Sequence, residues 1–168
     1  MAGMKSVDDL FLHTLKDIYY AERKILKALP KMAKAAHSEE LRDGFLTHRD
    51  QTEGQVERLQ QVFELIGKRA QGKTCEAING LIEECEELLE EAPEPGAVRD
   101  AGLVACAQAV EHYEMARYGA LIAWASSAGQ ADAAKLLEAN LSEEKQTDAT
   151  LTKVARERIN PAAVRAAA

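Results

Sequence analysis

Apolar side chains return every three or four positions along four long stretches of this chain, and nowhere do they alternate residue by residue as a half-buried strand requires. That periodicity confines the fold to packed helices. Ala, Leu, Glu and Lys dominate while aromatic residues make up 5%, a mix suited to helices and poor for a β-sandwich. The first stretch spans about 6–36, with Ser6 as N-cap and Asp8 and Asp9 in the first turn. Its inward stripe is Phe11, Leu15, Ile18, Glu22, Ile25, Leu29, Met32 and Ala36, and Pro30 within it predicts a kink or local unwinding. The second stretch, 38–67, begins at Ser38 and carries Leu41, Phe45, His48, Thr52, Gln55, Leu59, Val62 and Ile66. The third, 97–128, carries Val104, Ala107, Glu111, Glu114, Tyr118, Leu121 and Ala125, and Gly129 is placed to close it. The fourth, 130–157, turns Leu137, Leu141, Glu144, Asp148, Leu151 and Ala155 inward and is expected to stop at Asn160-Pro161 before a frayed Ala-rich tail.

Tight turns join the first stretch to the second and the third to the fourth, so each pair is antiparallel. The connection between the pairs is about thirty residues long and carries a short amphipathic helix over 74–91, closed by Pro93-Glu94-Pro95-Gly96. Two helical hairpins joined by one long crossover make a ferritin-like, all-α four-helix bundle, expected as a single domain over 1–168. Twenty-one basic against 28 acidic residues leave a net charge of −7, which argues against a nucleic-acid or anionic membrane partner. No apolar run reaches the length of a membrane span, and the first residues lack the apolar run of a signal peptide. Cys75, Cys85 and Cys106, an odd number without a CxxC, read as reduced thiols of a cytoplasmic protein; Cys75 and Cys85 fall on the apolar side of the short helix and read as inert.

Against this background, carboxylates stand where leucines belong. Glu22, Glu111, Glu114, Glu144 and Asp148 all occupy inward positions, and spacings of three and four put Glu111 with Glu114, and Glu144 with Asp148, on one face. Glu22 lies 16 residues before Ser38 and so faces position 54; Glu114 and Glu111 lie 15 and 18 residues before Gly129 and face 144 and 147. The five acids are therefore expected in one layer, within about one helical turn. No Arg or Lys shares their stripes. Unpaired carboxylates in a dry core cost many kcal/mol, so either protons or divalent cations balance them, and acids at this spacing on several helices build a two-metal site. Oxygen ligands favour iron or manganese. The second stretch offers Thr52 and Gln55 at the matching depth, Gln55 as a carbonyl ligand and Thr52 as a hydrogen-bond donor to one. His48 lies six residues from position 54, about 9 Å along a helix, and reads as a polar core residue.

The stretches running from Asp9 through Tyr19-Tyr20-Ala21 to Glu22, from Glu53 to Leu59, from Ala109 to Tyr118 and from Glu143 to Asp148 resemble those of the YciF-like bacterial stress proteins over roughly residues 5–160. The resemblance implies a ferritin-like fold, a homodimer and distant similarity to rubrerythrins and manganese catalases, whose carboxylates hold a di-iron or di-manganese centre. It assigns ligand roles to Glu22, Glu111, Glu114 and Glu144. Asp148 stands near where those relatives have His, and Thr52 and Gln55 where they have Glu and His. The expected function is a stress-associated protein whose pair of iron or manganese ions reacts with peroxide or dioxygen. The alternative is a non-catalytic metal-binding or dimeric structural stress protein.

Overall fold

A computed structural model describes residues 4–166. Its helices are α1 (Val7–Ala35), α2 (Glu39–Leu65), α3 (Glu76–Glu91), α4 (Ala97–Ser127) and α5 (Ala131–Val154), followed by a π-turn (Ala155–Ile159) and α6 (Asn160–Ala166). Among the described residues there is no strand, and no helix is long and apolar enough to cross a membrane. The protein is an all-α bundle.

Local chemistry sets the starts of these helices. The Ser6 hydroxyl accepts from the Asp9 amide at 3.1 Å while the Asp9 carboxylate accepts from the Ser6 amide at 3.1 Å, a reciprocal cap. Ser38 caps α2 through the Leu41 amide, and Cys75 caps α3 through the Ile78 amide at 3.4 Å. After α4 the chain reverses at Gly129, whose φ of +72° is open to glycine without steric cost.

Helix α1 runs on through Pro30 to Ala35. One expectation about proline fails: Asn160-Pro161 does not end the fourth long helix, because the backbone widens, the Asn160 amide bonds the Ala155 carbonyl, and helix resumes to Ala166. The wider turn puts Pro161 in the first turn of α6, where a missing N–H leaves nothing unmet. The supposed frayed tail is thus helical through Ala166, and its last two residues lie outside the described ones.

The four long helices pack in a ring in which α1 touches α2 and α4, and α5 touches α2 and α4. Cross-helix bonds give the directions. Asn140 on α5 donates to the Gln55 carbonyl of α2 at 3.3 Å, and seven residues on, Thr147 lies 3.2 Å from His48, seven residues back; the two helices are antiparallel. Helices α4 and α5 are antiparallel too, paired at Tyr118–Asn140 and Gln108–Asp148, both 2.9 Å. Leu15, Ile18, Leu59, Leu103, Leu121 and Leu137 fill the centre almost without exposure. Each such side chain contributes roughly 1.5–3 kcal/mol. Helix α3 lies outside this ring, against α1 and α4.

One polar clamp fixes the ring axially. The Asp100 carboxylate, buried in the first turn of α4, accepts from the His37 and Ser38 amides at 2.8 and 2.7 Å. Its neighbour Arg99 donates to the Ala35 and Pro93 carbonyls. The turn between α1 and α2 is thereby tied to the start of α4.

Candidate metal centre

Eleven residues beyond this clamp, on both α2 and α4, the apolar core gives way to charge. His48, Glu111, Glu114 and Glu144 each place one nitrogen or oxygen within 4.8 Å of the others, and all four are buried. His48 Nε2 lies 3.2 Å from Glu111 Oε1 and 3.7 Å from Glu144 Oε2. Glu22, fully buried on α1, borders the group through Glu114 and Glu144.

His48 corrects the sequence reading. Relative to Glu22, at the far end of the polar zone, it is about two turns out of step. Against Glu111 it is level, because the zone is elongated along the bundle and not a single layer. His48, Glu111 and Thr147 occupy one end; Gln55, Tyr118 and Asn140 occupy the other. The offset is constant along the two helices: His37 and Asp100 meet at a separation of 63 residues, and so do His48 and Glu111.

Asp148 is placed apart from the four. It accepts from Gln108 Nε2 at 2.9 Å and lies 3.4 Å from the exposed His112. Four residues on a helix turn about 400°, so Asp148 is rotated about 40° from Glu144, enough to point between α4 and solvent. Thr52 is fully buried, but its hydroxyl donates back to the His48 carbonyl at 2.9 Å. Gln55 donates to Glu143 at 3.1 Å and keeps its buried Oε1 unpaired.

Further polar side chains hold these carboxylates in place. Tyr118 donates to Glu22 Oε1 and accepts from Asn140 Nδ2. Arg58 donates to Asn140 and to Glu143, so its charge is spent at the margin of the polar zone. Asn140 was identifiable as the residue one turn before Glu144 on the same stripe. Arg58 gave no such sign, since a long basic side chain on a helix ordinarily reaches solvent.

The electrostatics show what is missing. Among the described residues, eight buried polar atoms of this zone lack a hydrogen-bond partner: Glu22 Oε2, His48 Nε2, Gln55 Oε1, Glu111 Oε2 and both oxygens of Glu114 and Glu144. His48 Nε2 is near Glu111 but not aligned for a bond. Burial, then the charge of Glu144, pushes the Glu22 carboxyl up from 4.5 to about 8. Burial pushes Glu111 to about 8 as well, and Glu114 and Glu144 well above their ordinary value. Buried polar atoms are normally satisfied, so an unsatisfied ring of hard oxygens around one imidazole fits a divalent cation. A small cavity of about 60 Å³ reaches His48 and Glu111 between α1, α3 and α4. Its walls are apolar, including Leu29, Met32, Ile82 and Leu89, and the exposed Lys31–Glu86 ion pair stands at its rim.

The model of a family described as a domain of unknown function, DUF892, matches residues 6–164. The chain belongs to this family. It is 45% identical over 159 residues to protein YciF of Escherichia coli K12, covering 94% of this chain and 95% of that one. The crystal structure of that E. coli stress protein superposes with a TM-score of 0.89, over 94% of this chain and 99% of the other. YcfI of Rhodopseudomonas palustris, described as a candidate structural protein, is 49% identical with a TM-score of 0.87, over 90% and 96% of the two chains. A Xanthomonas campestris protein at 22% identity shares the fold, with a TM-score of 0.70 over 90% of this chain and 92% of its own.

Proposed function

We propose that this chain is a single ferritin-like domain of two helical hairpins and a crossover, and that it holds iron or manganese and reacts with hydrogen peroxide or dioxygen during stress. One observation carries the reading: the eight partnerless buried atoms converge from α1, α2, α4 and α5. Glu22, His48, Glu111, Glu114 and Glu144 are the proposed ligands, with Gln55 Oε1 as a further oxygen at the Tyr118 end. Two ions match this elongated set better than one. Asp148 and Thr52, engaged elsewhere, stand outside it. When bound, such ions supply redox couples that no side chain here provides, together with the positive charge the carboxylates lack.

The chain's own groups prepare that site. Thr147 and Gln51 sit 3.2 and 3.4 Å from His48 Nδ1; with the Nδ1 proton directed to Gln51, the Nε2 lone pair faces Glu111 and Glu144. Tyr118, itself held by Asn140, fixes one oxygen of Glu22 and leaves the other free. The apolar cavity admits a small uncharged oxidant and disfavours larger charged molecules. Association into a homodimer is part of the proposal and is checked by light scattering.

Elemental analysis of protein purified without chelators, followed by peroxide consumption with restored metal, tests the reading. Glu114→Ala is expected to abolish metal-dependent turnover while circular dichroism stays helical. Full turnover in that variant refutes the assignment. Failure of the wild type to retain iron or manganese favours the structural role in which the R. palustris relative is described.

A further inference from the structure

Cys106 lies outside the sequence-based reading of inert thiols, and it faces Cys85 across the α3–α4 contact. These helices run antiparallel. Near one end of their contact, a β-carbon on Gly102 would lie 2.6 Å from Leu88 Cδ1, so the Leu88 side chain of α3 packs directly onto α4 there. At the other, Cys75 Sγ lies 2.9 Å from the Tyr113 hydroxyl. Stepping one turn from each of Leu88 and Gly102 toward that second contact arrives at Cys85 and Cys106, which therefore face each other across the two helices. Both line the apolar cavity that reaches His48 and Glu111, which gives a small oxidant a route to them.

We propose that Cys85 and Cys106 are a peroxide-reactive dithiol that closes to a disulfide joining α3 to α4. Cys106, the more exposed of the two, is the attacking sulfur: the Cys85 thiol beside it holds the Cys106 thiol down to about 7, while the Cys106 thiol and burial push the Cys85 thiol up. The Cys106 sulfur attacks one peroxide oxygen, the O–O bond breaks, and the departing hydroxide takes up the thiol proton as water. Cys85 sulfur then attacks the resulting sulfenic acid, the S–O bond breaks, and a second water leaves. Two thiols and one hydrogen peroxide yield one disulfide and two waters. The chemistry uses no metal and does not rest on the metal assignment.

The test uses the reduced full-length chain, with chelator present, exposed to one equivalent of hydrogen peroxide. Free thiols are expected to fall from three per chain to one, the mass to drop by two hydrogens, and a peptide map to join Cys85 to Cys106. Dithiothreitol restores all three. Cys85→Ser and Cys106→Ser should each abolish the linkage. The map is read on the wild type, so it decides the matter even if a serine variant fails to fold. Three thiols persisting in tenfold excess peroxide, a linkage through Cys75, or Cys106 passing to sulfinic acid unlinked would each overturn the proposal. Because metal is absent throughout, that outcome is distinct from failure of the metal assignment.

Discussion

Tyr118→Phe removes one oxygen and strips two partners at once, Glu22 and Asn140. Both are fully buried, so the variant is expected to lose about 1–3 kcal/mol in metal-free urea unfolding, since the groups left behind find no water. His48→Ala should instead spare the fold and weaken iron or manganese binding by about tenfold or more, read by competition with a chelating dye. The carboxylates at positions 22, 111, 114 and 144 were visible in the sequence because an acid on an apolar stripe violates the pattern by itself. His48 violates it equally, but its height relative to Glu111 depends on how α2 and α4 are registered, which no local signal gives. Tyr118 stands one turn from Glu114, close enough to bond a ligand carboxylate, but a tyrosine also fits an apolar stripe, and the sequence does not say that its hydroxyl meets both Glu22 and Asn140.

Helix positions and the long crossover followed from periodicity, Ser6, Ser38 and Gly129, because those signals are local. What joins the elements is not local. Asp100 reads in sequence as an ordinary acid favouring a helix N-terminus, yet it accepts from two amides of a turn more than sixty residues away. Asp100→Ala is therefore expected to cost about 1–2 kcal/mol in denaturant unfolding, because it takes the acceptor from two part-buried amides. Asp100→Asn, which keeps one acceptor, should recover part of that loss. The π-turn at 155–159 was likewise hidden, since Pro161 signals an interruption but not how the backbone accommodates it.

For the whole molecule, pH and metal act through the same groups. The Glu22 and Glu111 carboxyls sit near 8 in the fold against 4.5 ordinarily, chiefly through burial, so the folded metal-free chain holds protons that the unfolded chain releases. The stability linked to those protons is whole below about pH 4.5 and is lost as pH rises through about 8. Thermal midpoints of chelated protein should accordingly fall between about pH 5 and 8, and saturating manganous ion should flatten the decline by displacing the protons. A decline that persists unchanged with metal would show that the ion does not occupy this place.

The Asp100 clamp also has a mechanical meaning. It acts as a datum edge from which α2 and α4 are both measured, and the same eleven-residue count along each delivers His48 and Glu111 to one height. At about 1.5 Å and 100° per residue, a slip of one position at that edge would both shift and rotate one of the two away from the other. Precision at the buried centre is thus set some 16 Å away, by a turn that touches none of its atoms.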